Sequence, residues 1–353
     1  MTGAWWQYAL IFSGAVFLSL VCTPLAIATA LRRGVLDKPG DHKSHSSPVP
    51  YLGGLAIVVS FSVSMLIPVL AIKESSVSHE FVVVIGVALA LALLGLFDDL
   101  RGLSSILRFA CEIAAGVALL NLDIGVQLVG VSWVDAIITV FWVVGITNAF
   151  NLLDNMDGLS AGIAAIASVS FFAVAASNGQ YLVAGLSLAL GGCALGFLRH
   201  NFHPATVYMG DSGALFFGFL ISYVGLKLQL EVPSPVSVLV PIMVCSIAIL
   251  DTTLVTIARL RHGLSPFLGG RDHLSHRLVK VGLPVPVAVS TLYATAISVG
   301  VVAFVLPRVD ETSAWILTSL VAVLLLSGGV LTYGVPVYPE SKQDLFVIAK
   351  KSK

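Results

Sequence analysis

The sequence has few charged residues and no excess of either sign. Of its 353 residues 11% are charged, Lys plus Arg equals Asp plus Glu at 19 each, and hydrophobic residues make up 57%. The mean hydropathy of +0.98 is too high for an ordinary soluble domain. Balanced charge also excludes the broad basic field that attracts nucleic acid, so no nucleic-acid partner is predicted. The composition predicts a polytopic integral membrane protein in contact with the lipid bilayer.

Paired cysteines are also missing, and no cleavable leader is expected. The four cysteines stand singly in apolar runs, without the spacing of a disulfide framework or a zinc site. The first apolar run ends at Arg32 and Arg33, and no basic segment precedes it. We therefore expect a first membrane helix and no removable signal. Low-complexity tracts and the internal repeats of many transporters are not evident either.

Long apolar runs, by contrast, are abundant. A bilayer core takes about 20 apolar residues per helix, and this rule predicts an all-α protein with about 11 transmembrane helices. We expect one membrane-embedded domain over 1–353, with a short cytoplasmic tail from about 335 to 353. The predicted spans lie near 7–31, 52–72, 81–97, 105–121, 127–147, 159–177, 181–198, 212–230, 236–258, 285–306 and 313–334.

Lys and Arg predict the orientation of these spans. Sixteen of the 19 lie in one set of alternate loops and in the C-terminal tail. Because such residues accumulate in short cytoplasmic loops, the N-terminus is predicted outside and the C-terminus inside the cytoplasmic (inner) membrane of the cell. Every polar motif described below then falls on the cytoplasmic face.

The densest polar motif is Asn148 to Gly158, which reads Asn-Ala-Phe-Asn-Leu-Leu-Asp-Asn-Met-Asp-Gly. Asp154 and Asp157 are three residues apart, as are Asn148 and Asn151, so each pair would share one face if the segment is helical. Amide and carboxylate oxygens can bind a sugar or a base and can ligate a hard cation. The alternative is a network of hydrogen bonds between helices.

Asp98 and Asp99 end the third predicted span, and Arg101 and Arg108 follow. Adjacent carboxylates repel each other unless a cation or a proton lies between them, so the pair suits Mg²⁺ or a general base. The arginines could meet an anionic substrate at the same surface. A solvated helix end with ordinary basic anchors is the alternative.

Tyr208-Met-Gly-Asp-Ser-Gly213 leads into the eighth predicted span. Asp211 stands where an N-cap residue would stand, and the glycines would let phosphate approach the N–H groups of a helix N-terminus. Asn201 and Tyr208 add an amide and an aromatic face, which a nucleobase could use. A plain helix cap is the alternative.

The longest inward loop, from Arg259 to Lys280, holds His273 and His276 between Arg271 and Arg277. These groups could clamp a diphosphate. Zinc is disfavoured because no cysteine lies nearby. A basic loop against anionic lipid headgroups is the other interpretation.

Together these motifs resemble the polyprenyl-phosphate N-acetylhexosamine-1-phosphate transferase family, of glycosyltransferase family 4 type, which includes WecA, TagO and MraY. The resemblance runs from Asp37 to about Leu278. It rests on Asp37-Lys-Pro with Lys43-x-His45 and Pro50-x-x-Gly-Gly, Asp98-Asp99, Asn148-x-x-Asn151-x-x-Asp154-x-x-Asp157-Gly, Asn201 with Tyr208-Met-Gly-Asp211-x-Gly, and His273-x-x-His276-Arg277.

The resemblance implies transfer of a sugar 1-phosphate, most simply N-acetylglucosamine 1-phosphate, from a UDP-sugar to undecaprenyl or another polyprenyl phosphate, with release of UMP. This would be the first membrane step of a cell-envelope glycan such as lipopolysaccharide, teichoic acid or cell wall. It implies Mg²⁺, with Mn²⁺ as an alternative, on Asp211 and Asp99. The implied catalytic residues are Asp98, Asp99, His273 and His276. The implied substrate-binding residues are Lys43, His45, Arg108, Asn148, Asn151, Asp154, Asp157, Asn201, Tyr208, Arg271 and Arg277.

Ser275 stands where the commoner His-x-His-His form of the last motif has a histidine. Lack of the His-His-His-x-Glu form makes the chain more similar to the WecA and TagO branch than to MraY. Phospho-N-acetylmuramoyl-pentapeptide transfer is one alternative function, and secondary transport is another, from a different class. The sequence leaves open the exact sugar, the polyprenyl length and whether two chains form a homodimer.

Overall fold

The computed structural model describes residues 4–37, 48–71, 75–230 and 234–338, and 78% of the structure is helical. The helices are α1 (Trp5–Arg33), α2 (Gly53–Ala71), α3 (Ser75–Arg101), α4 (Ser105–Leu120), α5 (Ser132–Leu153), α6 (Leu159–Ser177), α7 (Tyr181–Asn201), α8 (Gly210–Lys227), α9 (Ser234–Val244), α10 (Ser246–Arg261), α11 (Leu274–Lys280), α12 (Val285–Val305) and α13 (Glu311–Tyr333), with a 3-10 turn at Leu306–Arg308.

Each predicted span coincides with a helix or with the pair α9 and α10. Among the described residues, seven helices are long and apolar enough to cross a membrane, and the bent pair raises the number to eight. The seven are Trp5–Arg33, His79–Arg101, Ser132–Leu153, Leu159–Ser177, Tyr181–Asn201, Val285–Arg308 and Glu311–Tyr333. The predicted number of about 11 exceeds this because it also includes α2, α4 and α8, of which α4 is short and α8 carries charge at both ends.

Helix α8 forms the centre of the molecule. All its residues from 212 to 225 are buried, and α2, α3 and α5 pack around it. In α13, by contrast, only 11% of the apolar window is buried. An apolar helix that hides so little of its surface in protein is suited to contact lipid. Protein therefore surrounds the middle of α8, and its charged end residues Asp211 and Lys227 are half-buried.

Small residues let these helices approach closely. A Cβ added at Gly54 of α2 would lie 2.3 Å from the Gly213 nitrogen of α8, and one at Gly95 of α3 would lie 2.5 Å from the carbonyl carbon of Asp211. Gly218 of α8 meets the backbone of α5 in the same way. In lipid, where helices gain little from hydrophobic burial against one another, such contacts are the main source of packing energy.

The ninth predicted span is broken into α9 and α10, which meet at Cys245 with a bend of 76°. Pro241 lies inside α9 and has no N–H to donate to the preceding turn, which weakens the helix there. After the bend, α10 packs against α5. A hydropathy pattern alone did not indicate it.

Two further details differ from expectation. The fold is not wholly helical, since Leu36–Asp37 (β1) pairs antiparallel with Val49–Pro50 (β2), with Leu36 opposite Pro50. Helix α5 also continues six residues beyond its predicted end at 147 and reaches Leu153. The end of α5 consequently carries Asn148 and Asn151 into the region where the other motifs meet.

Candidate active site

The ends of α3 and α5 meet the beginnings of α4 and α8 in a cluster of carboxylates. Asp99, near the end of α3, accepts hydrogen bonds from the backbone N–H groups of Asp211 (3.0 Å) and Ser212 (3.3 Å). A carboxylate in this position compensates the positive end of the α8 dipole. Asp99 therefore caps α8, although it lies 112 residues earlier in the chain.

Gly210, the first residue of α8, is required by this arrangement. Its φ is +65°, and a Cβ at this position would lie 2.5 Å from Oδ2 of Asp99. The sequence suggested that the glycines of this motif admit phosphate to the helix N-terminus. The structure gives Gly210 a different role, because the nearby N–H groups already donate to Asp99.

Asp211 is not the N-cap, since Met209 holds that position, and its side chain points to neighbouring helices. It accepts from Nη1 of Arg108 at 2.5 Å and from Nδ2 of Asn151 at 2.7 Å. The same Arg108 nitrogen lies 2.8 Å from Oδ2 of Asp98. One guanidinium thus bridges two carboxylates that would otherwise repel.

Asp154 and Asp157 follow α5 in a turn, so the expectation that they share a helical face is wrong. Asp154 is the C-cap residue. Burial, together with the carboxylates of Asp211, Asp99 and Asp157, raises its pKa to about 8. Its carboxyl group therefore keeps a proton near pH 7 unless positive charge is added to the cluster. Asp157 instead accepts from the Ala205 N–H at 3.0 Å and contacts Nδ1 of His203 at 2.8 Å.

Asn201 and Asn148 serve to hold this turn and α5 in place. Asn201 accepts from the Gly158 N–H at 3.1 Å and donates to the Val207 carbonyl at 2.9 Å. It is 1% exposed. Asn148 donates to the buried carboxylate of Glu112 and to the Val144 carbonyl. Both amides thus already have protein partners, in addition to facing the cavity described next.

A cavity of about 930 Å³ opens beside the carboxylate cluster. Of the predicted site residues, it is lined by Arg108, Asn148, Asn151, Asp154, Asp157, Asn201, Tyr208, His273 and His276. Asp98, Asp99 and Asp211 do not themselves line it, but Asp211 contacts both Arg108 and Asn151, which do. Motifs from four parts of the sequence therefore reach one chamber.

His273 lines another part of the cavity. Its Nδ1 lies 2.7 Å from Oδ2 of Asp251, and the other oxygen of Asp251 accepts from the Leu274 N–H at 2.6 Å. If the neutral ring donates its Nδ1–H to Asp251, Nε2 carries no hydrogen and can only accept. Nη2 of Arg259 lies 3.4 Å from this Nε2 atom. The imidazole, 3% exposed, is therefore fixed in one orientation.

Behind His273 lies a buried ion pair. Arg259 forms two hydrogen bonds of 2.8 Å to Asp272, from Nε to Oδ2 and from Nη2 to Oδ1, and its Nη1 donates to the Pro266 carbonyl. Although burial alone would raise the pKa of Asp272, the Arg259 guanidinium and the Tyr338 hydroxyl hold it below the usual range. Both charges are satisfied within the protein.

His276 also lines the cavity, but it is not a cation near pH 7. Burial, His273 and Arg271 lower its pKa to about 4. It can accept or donate a hydrogen bond there without bringing positive charge to a phosphate. The adjacent Ser275 donates to Oδ1 of Asn155 at 2.6 Å, which ties this segment to the turn after α5.

Arg277 and Arg271 lie in different surroundings. Arg277 is 2% exposed and donates to carbonyl oxygens of residues 272, 332, 333 and 335. The structure does not bring it to the cavity. Arg271 is exposed beside the segment. Lys43 and His45, the other two predicted substrate-binding residues, lie outside the described residues.

Comparison with known proteins shows the family of this chain. The model of glycosyl transferase family 4 matches residues 81–229. A "Probable undecaprenyl-phosphate N-acetylglucosaminyl 1-phosphate transferase" of Bacillus subtilis (strain 168) is 30% identical over 87% of this chain and 86% of its own length. The chain belongs to glycosyl transferase family 4.

Two further relatives match smaller shares of the chain. A "Decaprenyl-phosphate N-acetylglucosaminephosphotransferase" of Mycolicibacterium smegmatis is 30% identical over 84% of this chain and 81% of its own length. A "Phospho-N-acetylmuramoyl-pentapeptide-transferase" of Bacillus subtilis is 34% identical, over 61% of this chain and 73% of its own length. The family match at 81–229 covers α3 to α8, and thus the carboxylate cluster, and ends before the histidine segment.

The donor set of this family 4 chain fits a hard divalent cation. Asp98 and Asp211 share Arg108, Asp99 and Asp154 lie near Asp211, and Asn151 adds an amide oxygen. Carboxylate and amide oxygens are the ligands that Mg²⁺ accepts. Burial first, and then the carboxylates of Asp211, Asp99 and Asp157, raise the pKa of Asp154. Among the described residues, no three His, Cys, Asp or Glu side chains already form a ligand group.

Four residues of the site were not predicted as parts of it. Asp251, Arg259 and Asp272 position His273, and Tyr51 lines the cavity, where burial and the carboxylates of Asp99, Asp211 and Asp154 raise its pKa. One signal was available, because Asp251 is a carboxylate inside an apolar run, and such residues are rarely retained without a partner. Tyr51 gave no comparable signal.

Proposed function

We propose that this chain transfers N-acetylglucosamine 1-phosphate from its UDP derivative to undecaprenyl phosphate or another polyprenyl phosphate, releasing UMP and leaving a lipid-linked diphosphate sugar. The observation that carries the proposal is one chamber with an acidic cluster at one wall and a fixed histidine at the other. The names of the relatives that match most of the chain supply the acceptor and the sugar.

Phospho-N-acetylmuramoyl-pentapeptide transfer is the second candidate. It is favoured by the 34% identity to the transferase of that name. That relative matches 61% of the chain, whereas the first matches 87%, so we prefer the N-acetylglucosamine donor.

The proposed setting is the cytoplasmic membrane, with about 11 spans and the site on the cytoplasmic face. In support, each span predicted from the sequence coincides with a helix or a bent pair. The basic residues of the alternate loops and the carboxylate cluster would then face the compartment that contains nucleotide sugars. The chain would act as one domain, and its acceptor would arrive from the bilayer.

Asp211 and Asp99 are the proposed ligands of Mg²⁺, with Mn²⁺ as a substitute. A divalent ion bound there would neutralise charge on the phosphate oxygens of the donor. Phosphoryl transfer needs little covalent chemistry from protein, since positioning and charge stabilisation dominate. The protein groups described next supply the positioning.

In the proposed reaction an oxygen of the lipid phosphate attacks the β-phosphorus of the donor. A new P–O bond forms there, the bond from β-phosphorus to the bridging oxygen breaks, and UMP leaves with that electron pair. Asp98 or Asp99 would take any proton from the acceptor phosphate and orient it, and Arg108, which already bridges Asp98 and Asp211, would hold its charge.

The turn after α5 is the proposed nucleotide side of the chamber. Asp154 and Asp157 would bind the uridine and sugar hydroxyls, and Tyr208 would stack on the base. Asn148, Asn151 and Asn201 would fix the shape of that surface through the hydrogen bonds already described. His276 would donate a hydrogen bond to the diphosphate, His273 would lie beside it in the orientation that Asp251 and Arg259 fix, and Arg271 would attract it from solution.

The test is UMP release by the purified protein, supplied with Mg²⁺, polyprenyl phosphate and a panel of UDP-sugars. We expect turnover with UDP-N-acetylglucosamine and loss of turnover in Asp211→Asn and in Asp99→Asn. Activity that survives in both variants would refute the proposed site. Turnover only with the UDP-muramyl-pentapeptide donor would select the second candidate, and proton-coupled flux in vesicles without any UMP release would favour a transporter.

A further inference from the structure

The end of α13 and the residues that follow it pack against the histidine segment. Arg277 donates from Nη1 to the carbonyl oxygens of Thr332 (3.3 Å), Tyr333 (2.9 Å) and Val335 (3.0 Å). Its guanidinium also lies 5.5 Å from the centre of the Tyr333 ring. One buried cation thus fixes the path of residues 332–335, and these residues set the position of Tyr338.

Tyr338 enters the polar network from this returning segment. Its hydroxyl donates to Oδ2 of Asp272, and its ring packs against His262 with centroids 4.2 Å apart. The same oxygen of Asp272 accepts from Nε of Arg259 at 2.8 Å. Tyr338 therefore binds a carboxylate that already holds the arginine behind His273.

The network continues from Asp272 to the wall of the cavity. Arg259 spans from Asp272 to Nε2 of His273, and Asp251 holds the opposite nitrogen of the same ring. Arg259, Asp272 and His273 are each at most 3% exposed. Because water does not reach these groups, loss of one hydrogen bond would leave a buried polar atom without a partner, which is unfavourable.

We propose that Tyr338 is a positioning residue for His273, acting through Asp272 and Arg259. Its hydroxyl fixes the rotamer of Asp272, Asp272 fixes the plane of the Arg259 guanidinium, and the guanidinium fixes the face that His273 presents to the cavity. The part of this proposal that concerns turnover rests on the proposed transferase function. The effect on the imidazole itself does not.

This arrangement predicts a specific kinetic signature. Tyr338 does not line the cavity, so its hydroxyl should not alter donor binding. If His273 acts on the reacting diphosphate, a loosened imidazole should lower kcat and leave KM for the donor unchanged. We expect Tyr338→Phe to lower kcat about tenfold, the size of one hydrogen bond to a charged group.

Tyr333→Phe is the matched control. Tyr333 lies in the same segment, and its hydroxyl contacts Arg261 at 3.4 Å and not Asp272. The phenyl ring retains the contact with Arg277. Both variants lose one tyrosine hydroxyl from the returning segment, and only Tyr338→Phe breaks the path to His273.

The first measurement is steady-state UMP release by wild type, Tyr338→Phe and Tyr333→Phe, per folded molecule and well below each melting temperature. A fall in kcat confined to Tyr338→Phe supports the proposal. An unchanged kcat in Tyr338→Phe, a rise in donor KM alone, or an equal fall in the Tyr333→Phe control would overturn it.

The second measurement needs no turnover. Carbethoxylation of His273 by diethyl pyrocarbonate is followed by mass spectrometry, with the exposed His79 as internal reference. We expect faster modification of His273 in Tyr338→Phe and no change in Tyr333→Phe. Equal rates in all three proteins would refute the positioning role even if no donor is turned over, whereas failure of wild type to release UMP would refute only the transferase function.

Discussion

The two walls of the cavity differ in whether their charged groups all have partners of opposite charge. At the carboxylate wall, Arg108 and Asp154 line the cavity. Asp98 and Asp211 lie behind this lining and share the Arg108 guanidinium, Asp99 lies near Asp211, and the pKa of Asp154 is raised to about 8. At the histidine wall, Asp251, Arg259 and Asp272 form closed pairs in which each charged group already has its partners.

This difference separates two kinds of contribution to a site. An acidic cluster with fewer cations than carboxylates would be stabilised by a bound cation, which is the basis of the proposed metal site. A closed network gains nothing from a ligand and instead fixes the geometry of one side chain. We therefore expect substitutions at the carboxylate wall to affect turnover, and substitutions in the network behind His273 to affect stability as well.

The largest effect is expected from Asp211→Asn. It removes a proposed metal ligand and the partner of Arg108, and loss of metal-based charge stabilisation of several kcal/mol corresponds to a fall of about 10³-fold in kcat. The fall in kcat is measured as the rate of UMP release by the purified variant. Asp135→Asn is the control, since Asp135 accepts from N–H groups of 128–130 at the opposite end of α5. A similar fall in kcat in both variants would contradict a specific role of the carboxylate wall in turnover.

The second effect is one of stability. Arg259→Gln leaves the buried Asp272 carboxylate without its cation, and breaking such a pair costs about 3 kcal/mol of unfolding free energy. Thermal unfolding in detergent should show a clear fall in melting temperature. Arg199→Gln removes an exposed arginine from the last turn of α7 and should leave it unchanged. If Arg259→Gln unfolds like wild type, the network is not the stabilising element that its geometry indicates.

The third effect is a pH dependence from His276. Its pKa is lowered to about 4, below the value near 6.5 of an unfolded chain, so between these values the unfolded state binds the proton and the folded state does not. Its contribution to stability is present above pH 6.5 and is lost as pH falls towards 4. We expect a loss on the order of 2 kcal/mol after allowance for partial exposure.

Melting temperatures between pH 7 and pH 5 test this dependence. The slope should be smaller in His276→Gln and unchanged in His79→Gln, which alters an exposed histidine. A slope that is the same in all three proteins would show that His276 is not held neutral.

The smallest effect is expected from Arg271→Gln. An exposed charge beside the cavity contributes about 1 kcal/mol or less to the attraction of an anion. The KM for the donor should therefore rise severalfold at most, and kcat should not change. The change should shrink at high salt. Arg261→Gln is the control, because Arg261 is exposed and packs on Tyr333 at 5.4 Å. A fall in kcat in Arg271→Gln would place this residue in the chemistry.

Much of the helical layout could be predicted because it depends on local composition. Apolar runs of about 20 residues mark helices wherever they occur, and the predicted spans near 159–177 and 181–198 agree with α6 and α7 almost to the residue. The break at Cys245 and the extension of α5 to Leu153 were not predicted. Both depend on what the neighbouring helices offer to a helix end, which composition does not contain.

Within the site, the sequence alone determined which residue types are present and in what order. It did not determine their partners. The carboxylate of Asp99 caps a helix 112 residues later, and Arg108 joins Asp98 to an aspartate 103 residues away. Such pairings depend on which helix ends pack together, and that is set by close contacts at Gly54, Gly95 and Gly210.

The sequence by itself therefore determined a membrane protein with the motifs of its family, because hydropathy and motif spacing are local properties. Only the tertiary structure decided that Asp99 caps α8, that Arg277 holds the C-terminal segment, and that His276 is neutral. Each of these depends on burial and on charges brought together from distant segments, since desolvation and electrostatic interaction act through space and not along the chain.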